Sequence, residues 1–251
     1  MESYAAAGQV WAAGLIFARV GALLMVIPGV GEQSVPPRIR LSFALLFALM
    51  LYPVLAPSMP ALPGSVGSLA AQVIKEIAIG LVIGTILRIF MAALATAGEV
   101  VSLQTTLSFA QTASPNQAQP TASLSTFLGL LGLVLIMTSD LHHMFISAMV
   151  RSYALFPLVK PLPIADSAQL AIRTVGDSFA LGIQLAAPVL VFSLVFNVAT
   201  GLVGRVMPQF PVFFVASPII VLLGLSIFAL SLGAIGLVWV DRYRQLADVF
   251  V

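Results

Sequence analysis

The stretch SDLHHMF (139–145) holds the side chains best suited to bind a metal or move a proton: Asp140, His142 and His143. Imidazole nitrogens and carboxylate oxygens are ordinary ligands of divalent transition ions. The spacing argues against a chelate. Adjacent helical residues point about 100° apart, whereas a helix-borne metal pair is spaced i, i+4. The sequence has 2 His and no Cys, so further ligands would come from distant segments and thiolate chemistry is excluded. No GxSxG, HExxH, P-loop or GxGxxG stands in a supporting context, and no nucleophile lies beside a base. The expectation is no metal, no cofactor and no enzyme activity, with 140–143 as polar packing or a water-facing turn.

Other charged residues lie inside greasy runs, where each costs ~2.5–3.5 kcal/mol to insert and faces protein or water rather than lipid. Arg19 interrupts LIFARVGALL. The run QVIKEIAIGLVIGTILRIFMAALATAGE carries Lys75, Glu76, Arg88 and Glu99. Glu76, Gly80, Gly84 and Arg88 follow one another at i+4, and the GxxxG pair within them admits a closely packed helix. Arg88 and Glu99 point about 20° apart but lie ~16 Å apart along the axis, so each needs a partner elsewhere. Further on, Asn197, Gly201 and Arg205 again step by i+4, followed by Pro208 and Gln209. Both groups read as seams between helices or between subunits.

A third feature is wet and uncharged. Residues 97–123, AGEVVSLQTTLSFAQTASPNQAQPTAS, contain four Gln, one Asn and two Pro amid Ser and Thr. Such side chains tolerate water without fixing a passing charge. Leu107 and Phe109 are the apolar residues that could close a constriction by contact and dewetting. Irregular backbone at membrane depth is tolerated only against protein or water. A surface loop joining two helices is the plainer reading of these residues alone.

The elements that carry these residues follow from composition. Of 251 residues, 60% are hydrophobic and 8% charged, against about 25% charged in soluble domains. A mean hydropathy of +1.10 agrees. Six apolar runs, at 11–28, 41–56, 69–96, 124–150, 179–203 and 211–240, approach or exceed the ~20 residues of a spanning helix. They are continuous rather than alternating, which excludes a barrel and predicts an all-α membrane protein. Breaks at 29–40 and 56–68 are rich in Pro, Gly and Ser, and a third at 155–167 holds three prolines and charged residues.

Basic residues do not set an orientation. A six-span path puts Arg38, Arg40 and Arg205 on one side, with Arg151, Lys160, Arg173, Arg242 and Arg244 on the other. No Lys or Arg cluster suits nucleic acid. The start MESYAAAGQVW lacks a basic n-region, so no cleavable signal is expected.

Five stretches in order resemble the FliR family of flagellar export-gate proteins, which is related to injectisome export-apparatus subunits. They are Phe17-x-Arg19 with Pro28, VPPRIRLSFALLFALMLYP (35–53), EIAIGLVIGTILRIFMAALATAGE (76–99), HHMFISAMVRSYALFP (142–157) and AAPVLVFSLVFNVATGLVGRVMPQFPVFFVASPI (186–219). The last is the most specific, with Asn197, Gly201, Arg205, Pro208-Gln209 and Pro218 in register. Departures are Thr106 in place of the frequent Gly, Ser114-Pro115 in place of Asp-Pro, and Phe210-Pro211 after Pro-Gln.

The resemblance implies a non-enzymatic subunit with long, broken helical hairpins, packed into a helical export-gate assembly. Residues 1–178 would form a FliP-like part and 179–251 a FliQ-like hairpin. The loop near 104–117 would plug the conduit through Thr106, Leu107, Ser108, Phe109, Ala110, Gln111, Ser114, Pro115 and Asn116. Arg19, Glu76, Gly80, Gly84, Arg88, Glu99, Asn197, Gly201, Arg205, Pro208 and Gln209 would make helix or subunit interfaces. Partners implied are FliP-like and FliQ-like gate subunits, FlhB-like and FlhA-like components, and unfolded proteins in transit. The site implied is the bacterial inner membrane, in the flagellar basal body and raised towards the periplasm. The alternatives are a small-molecule or ion secondary transporter, an injectisome rather than a flagellar subunit, and a scaffold with no part in gating.

Overall fold

The computed structural model describes residues 2–107, 123–158, 160, 163–209 and 211–250. Among them every regular element is helical, as the unbroken apolar runs predict. The α-helices are α1 (Glu2–Val26), α2 (Pro37–Leu55), α3 (Val66–Gln104), α4 (Ser123–Thr138), α5 (Leu141–Leu155), α6 (Ile164–Val206) and α7 (Val212–Ala247), with a 3-10 turn at Ala56–Ser58. Five of them are long and apolar enough to cross a membrane singly, and α4 with α5 passes the same test as a broken pair.

Local chemistry sets the ends. Pro37 opens α2 at its first helical position, where a missing N–H costs nothing. Ser65 precedes α3, and its Oγ accepts from the Ser68 N–H at 3.3 Å, as a capping serine does. The fourth apolar run breaks at Ser139–Asp140. Thr138 and Ser139 donate their hydroxyls back to Val134 and Leu135 carbonyls, at 3.0 and 2.5 Å. Asp140 then turns left-handed at φ 61°, ending the helix.

Helix lengths differ from the apolar runs. α3 has 39 residues and α6 has 43, so they extend ~58 and ~64 Å, about twice the hydrocarbon thickness. The extra turns of α6 carry Asp166, Arg173 and Asp177. Arg173 therefore lies on a helix, not in the loop that the charge count assigned to it. A helix continues wherever its backbone bonds are satisfied, whatever the side-chain hydropathy, and this moves its ends away from the polarity boundary.

The chain divides into two compact units: Met1–Phe90 with Asp140–Val175 and Arg244–Val251, and Met91–Ser139 with Gly176–Tyr243. In the first, Leu15, Ile16, Val20 and Leu23 of α1 are buried, as are Ile79, Ile83, Ile86 and Leu87 of α3. Lipid tails are as apolar as these side chains, so close packing rather than water exclusion holds such helices together. Gly80 supplies the close approach. A Cβ there would strike the Arg19 carbonyl and lie 2.9 Å from Ala22 Cβ. In the second unit Gly98 has the same function, since a Cβ there would meet the Ser125 backbone and lie 2.8 Å from Leu124 C. Gly182 faces Thr96, and Gly224 faces Thr105.

Candidate functional site

Arg19 of α1 is buried to 1% exposure and Glu76 of α3 to 0%. Arg19 Nε donates to Glu76 Oε2 at 2.7 Å, and Nη2 donates to Oε1 at 3.0 Å, a two-pronged pair. The remaining donors reach α5 and its end. Nη1 donates to Ser152 Oγ at 3.2 Å, and Nη2 also donates to the Phe156 carbonyl at 2.9 Å. The guanidinium lies 4.0 Å from the Tyr153 ring centroid, within cation–π range. One cation thus ties α1, α3 and α5 together.

Lys75 extends the arrangement. Its ammonium donates to the carbonyls of Pro157 and Leu158, at 3.3 and 2.7 Å, and to that of Lys160. These carbonyls follow the last turn of α5, where the chain has no helical donors of its own. Two neighbouring cations, Arg19 and Lys75, therefore fix the turn that leads from α5 towards α6.

Gly80 and Gly84 lie against α1 between Arg19 and Val26. A Cβ on Gly84 would sit 3.1 Å from the Leu23 carbonyl and from Val26 Cβ. One turn further, Arg88 donates to the carbonyls of Val26 and Gly31, at 3.3 and 3.4 Å. Its ion pair with Glu32 spans 3.7 Å and is part-exposed, a pairing worth ~0–1 kcal/mol. The Glu76–Arg88 stripe is thus the face of α3 that holds α1 and the turn after it.

In the second unit, α3 ends against α6 and α7. Ser193 Oγ donates to Gln104 Oε1 at 2.7 Å. Thr105 is fully buried, its hydroxyl donates to the Val101 carbonyl at 2.8 Å, and its methyl would lie 2.5 Å from a Cβ on Gly224. Thr106 is left-handed at φ 59°, a conformation a β-branched residue rarely adopts and Gly would take freely. Thr106 and Leu107 are half-buried. Ser108, Phe109, Ala110, Gln111, Ser114, Pro115 and Asn116 lie outside the described residues. Glu99 is half-buried on α3.

Asn197, Gly201 and Arg205 lie along α6 and are exposed, as are Pro208 and Gln209 after it. Among the described residues, nothing outside the helix's own neighbouring backbone comes within 4 Å of a Cβ placed on Gly201 or Gly204. Beside them Thr106, Phe196, Asn197, Thr200, Gly201, Val212 and Ile220 line a cleft of ≈ 300 Å³. Val195, Val198, Leu202 and Val206 on the same segment are also exposed. This seam is open, unlike the Gly80–Gly84 seam, which is filled by α1.

At the start of α5, His142 and His143 bring their ring centroids within 4.1 Å. Cβ directions 100° apart do not keep two imidazoles of that reach from meeting. Asp140 Oδ1 stands 3.5 Å from His143 Nδ1.

The sequence family described as bacterial export proteins, family 1, matches residues 10–246. The chain belongs to this family. It is 56% identical over 250 residues to the flagellar biosynthetic protein FliR of Caulobacter vibrioides, with 100% of both chains covered. It is 33% identical over 214 residues to FliR of Escherichia coli K12, covering 84% of this chain and 80% of that one. With FliR of Aquifex aeolicus it shares 28% over 238 residues, covering 94% and 91%.

For this bacterial export protein, sequence reasoning singled out Arg19 and Glu76 but not the bond between them. Ser152, Tyr153, the carbonyls of Phe156, Pro157, Leu158 and Lys160, and the Gln104–Ser193 bond were all missed. The only available signal was the cost of leaving Arg19 and Glu76 unpaired, which demands a partner without saying which. The Thr105–Gly224 contact had no signal at all, because a threonine and a glycine are common in any apolar helix.

Proposed function

We propose that the chain is a non-enzymatic subunit of the flagellar type III protein export gate in the bacterial inner membrane, and that its segment 104–117 plugs the conduit for unfolded proteins. Family membership and the FliR relatives support the coarser statement, a component of the flagellar export apparatus. The names of those relatives favour flagella over an injectisome. The observation that carries the plug reading is the anchoring of the segment at its start. Gln104 is bonded to Ser193, Thr105 is clamped against Gly224, and Thr106 turns the chain sharply out of α3. The stem at Gln104–Thr106 is thus firmly held, as the base of a stopper requires.

In this reading the open face along Asn197, Gly201 and Arg205 meets another subunit, because small residues beside an amide and a guanidinium suit a hydrogen-bonded helix seam. Residues 1–178 then act as the FliP-like part and 179–251 as the FliQ-like part. Helices of about 60 Å accord with an assembly that rises out of the bilayer plane. FliP-like and FliQ-like subunits are the direct partners, and FlhB-like and FlhA-like components lie next to them.

Affinity purification of the tagged chain from its own membranes tests the reading. FliP-like and FliQ-like chains should co-elute in fixed ratio, with less complex recovered from Arg88→Ala and Glu99→Ala. Recovery of the chain alone, carrying ion or solute transport when reconstituted, would instead establish a secondary transporter.

A further inference from the structure

We propose that Asp140, His142 and His143 form a binding site for a divalent transition cation of the zinc and nickel class. One ligand atom from each residue lies within 4.8 Å of the other two. With Zn–N and Zn–O bonds of ~2.0–2.2 Å, neighbouring ligands in a tetrahedral shell are ~3.4 Å apart. The Asp140 Oδ1 to His143 Nδ1 separation of 3.5 Å already matches that edge. His142 is half-buried and its ring lies 4.1 Å from that of His143, so a side-chain rotation closes the remaining gap.

Among the described residues, the Asp140 carboxylate makes no capping bond and approaches only His143 at ion-pair distance. Asp140 is the N-cap residue of α5, yet its side chain makes no capping hydrogen bond. At φ 61° the break itself needs only a residue that tolerates the left-handed region, which Gly or Asn supplies equally well. The approach to His143 exceeds the ~2.7–3.2 Å of a good N–H···O bond. A carboxylate that makes no capping bond and stands 3.5 Å from one imidazole, with a second close by, is placed as a ligand.

Donor chemistry sets the ion. Two imidazoles with one carboxylate favour zinc, nickel or copper, whereas magnesium and calcium prefer all-oxygen shells. Three protein ligands leave at least one position for water or for a donor from another chain. Because Asp140 and His143 are exposed on the chain, the site is not a sealed structural centre.

The test uses the full chain, purified in detergent through a tag without histidine, and titrated calorimetrically with zinc chloride and nickel chloride. Wild type should take up one equivalent with micromolar affinity. Asp140→Asn should bind about tenfold more weakly or worse, and the His142→Gln/His143→Gln double variant should not bind, with helical circular dichroism unchanged. Equal isotherms for wild type and the double variant, or no uptake by wild type, would overturn the proposal. If the double variant does not fold, cobalt(II) absorption of the wild-type chain decides. Visible d–d bands unlike those of aqueous cobalt support the site, and an aqueous spectrum refutes it.

Discussion

Arg19 is fully buried, and each hydrogen bond its guanidinium donates goes to another helix or to the turn after α5. Its pairing with Glu76 offsets two desolvation costs at once, so removing one partner strands the other. Arg19→Ala or Glu76→Ala should each lower stability by roughly 3–5 kcal/mol. The double change Arg19→Met with Glu76→Leu should recover most of that loss, because two apolar side chains of similar volume leave no buried charge. Ser152 keeps its own bond to the Met149 carbonyl at 2.7 Å in either case. Thermal unfolding of the purified chain, followed by circular dichroism, measures this. A double variant less stable than both singles would show that the pair is stabilising in itself rather than merely balanced.

At the scale of the helix, small residues decide where elements meet. Gly98→Leu should disrupt the approach of α3 and α4, since even a Cβ would enter the Ser125 backbone. Overpacking of this kind costs about 1–3 kcal/mol or more, so folded yield in detergent should fall sharply. Gly201→Leu should leave folded yield of the isolated chain unchanged, as that face is open. The i+4 stripe from Glu76 to Arg88 was legible in the sequence, because helical periodicity alone puts those residues on one face. What that face touches was not, since Arg19 lies 57 residues away and no local pattern encodes the pairing. Helix ends were misjudged at α6 for a related reason. Asp166 and Arg173 end the hydropathy signal without ending the backbone hydrogen bonds. The meeting of His142 and His143 escaped because spacing describes Cβ directions, while ring contact depends on rotamers.

For the whole molecule, the apolar surface that remains exposed on α2, α6 and α7 is far more than a solvated monomer carries, as suits a chain that meets lipid and, in the proposed assembly, other subunits. Membership of a bacterial export family gives that surface its context, and the long apolar helices place the chain in the inner membrane. The uncharged segment after Gln104, with its Gln, Ser and Thr, has a composition that suits contact with water rather than lipid. In the proposed gate this segment closes the conduit at rest. The most direct measurement is membrane conductance in cells that assemble the complex with residues 108–117 deleted. The plug account predicts raised ion leakage with the complex assembled in normal amount, and unchanged conductance from an intact assembly would contradict it.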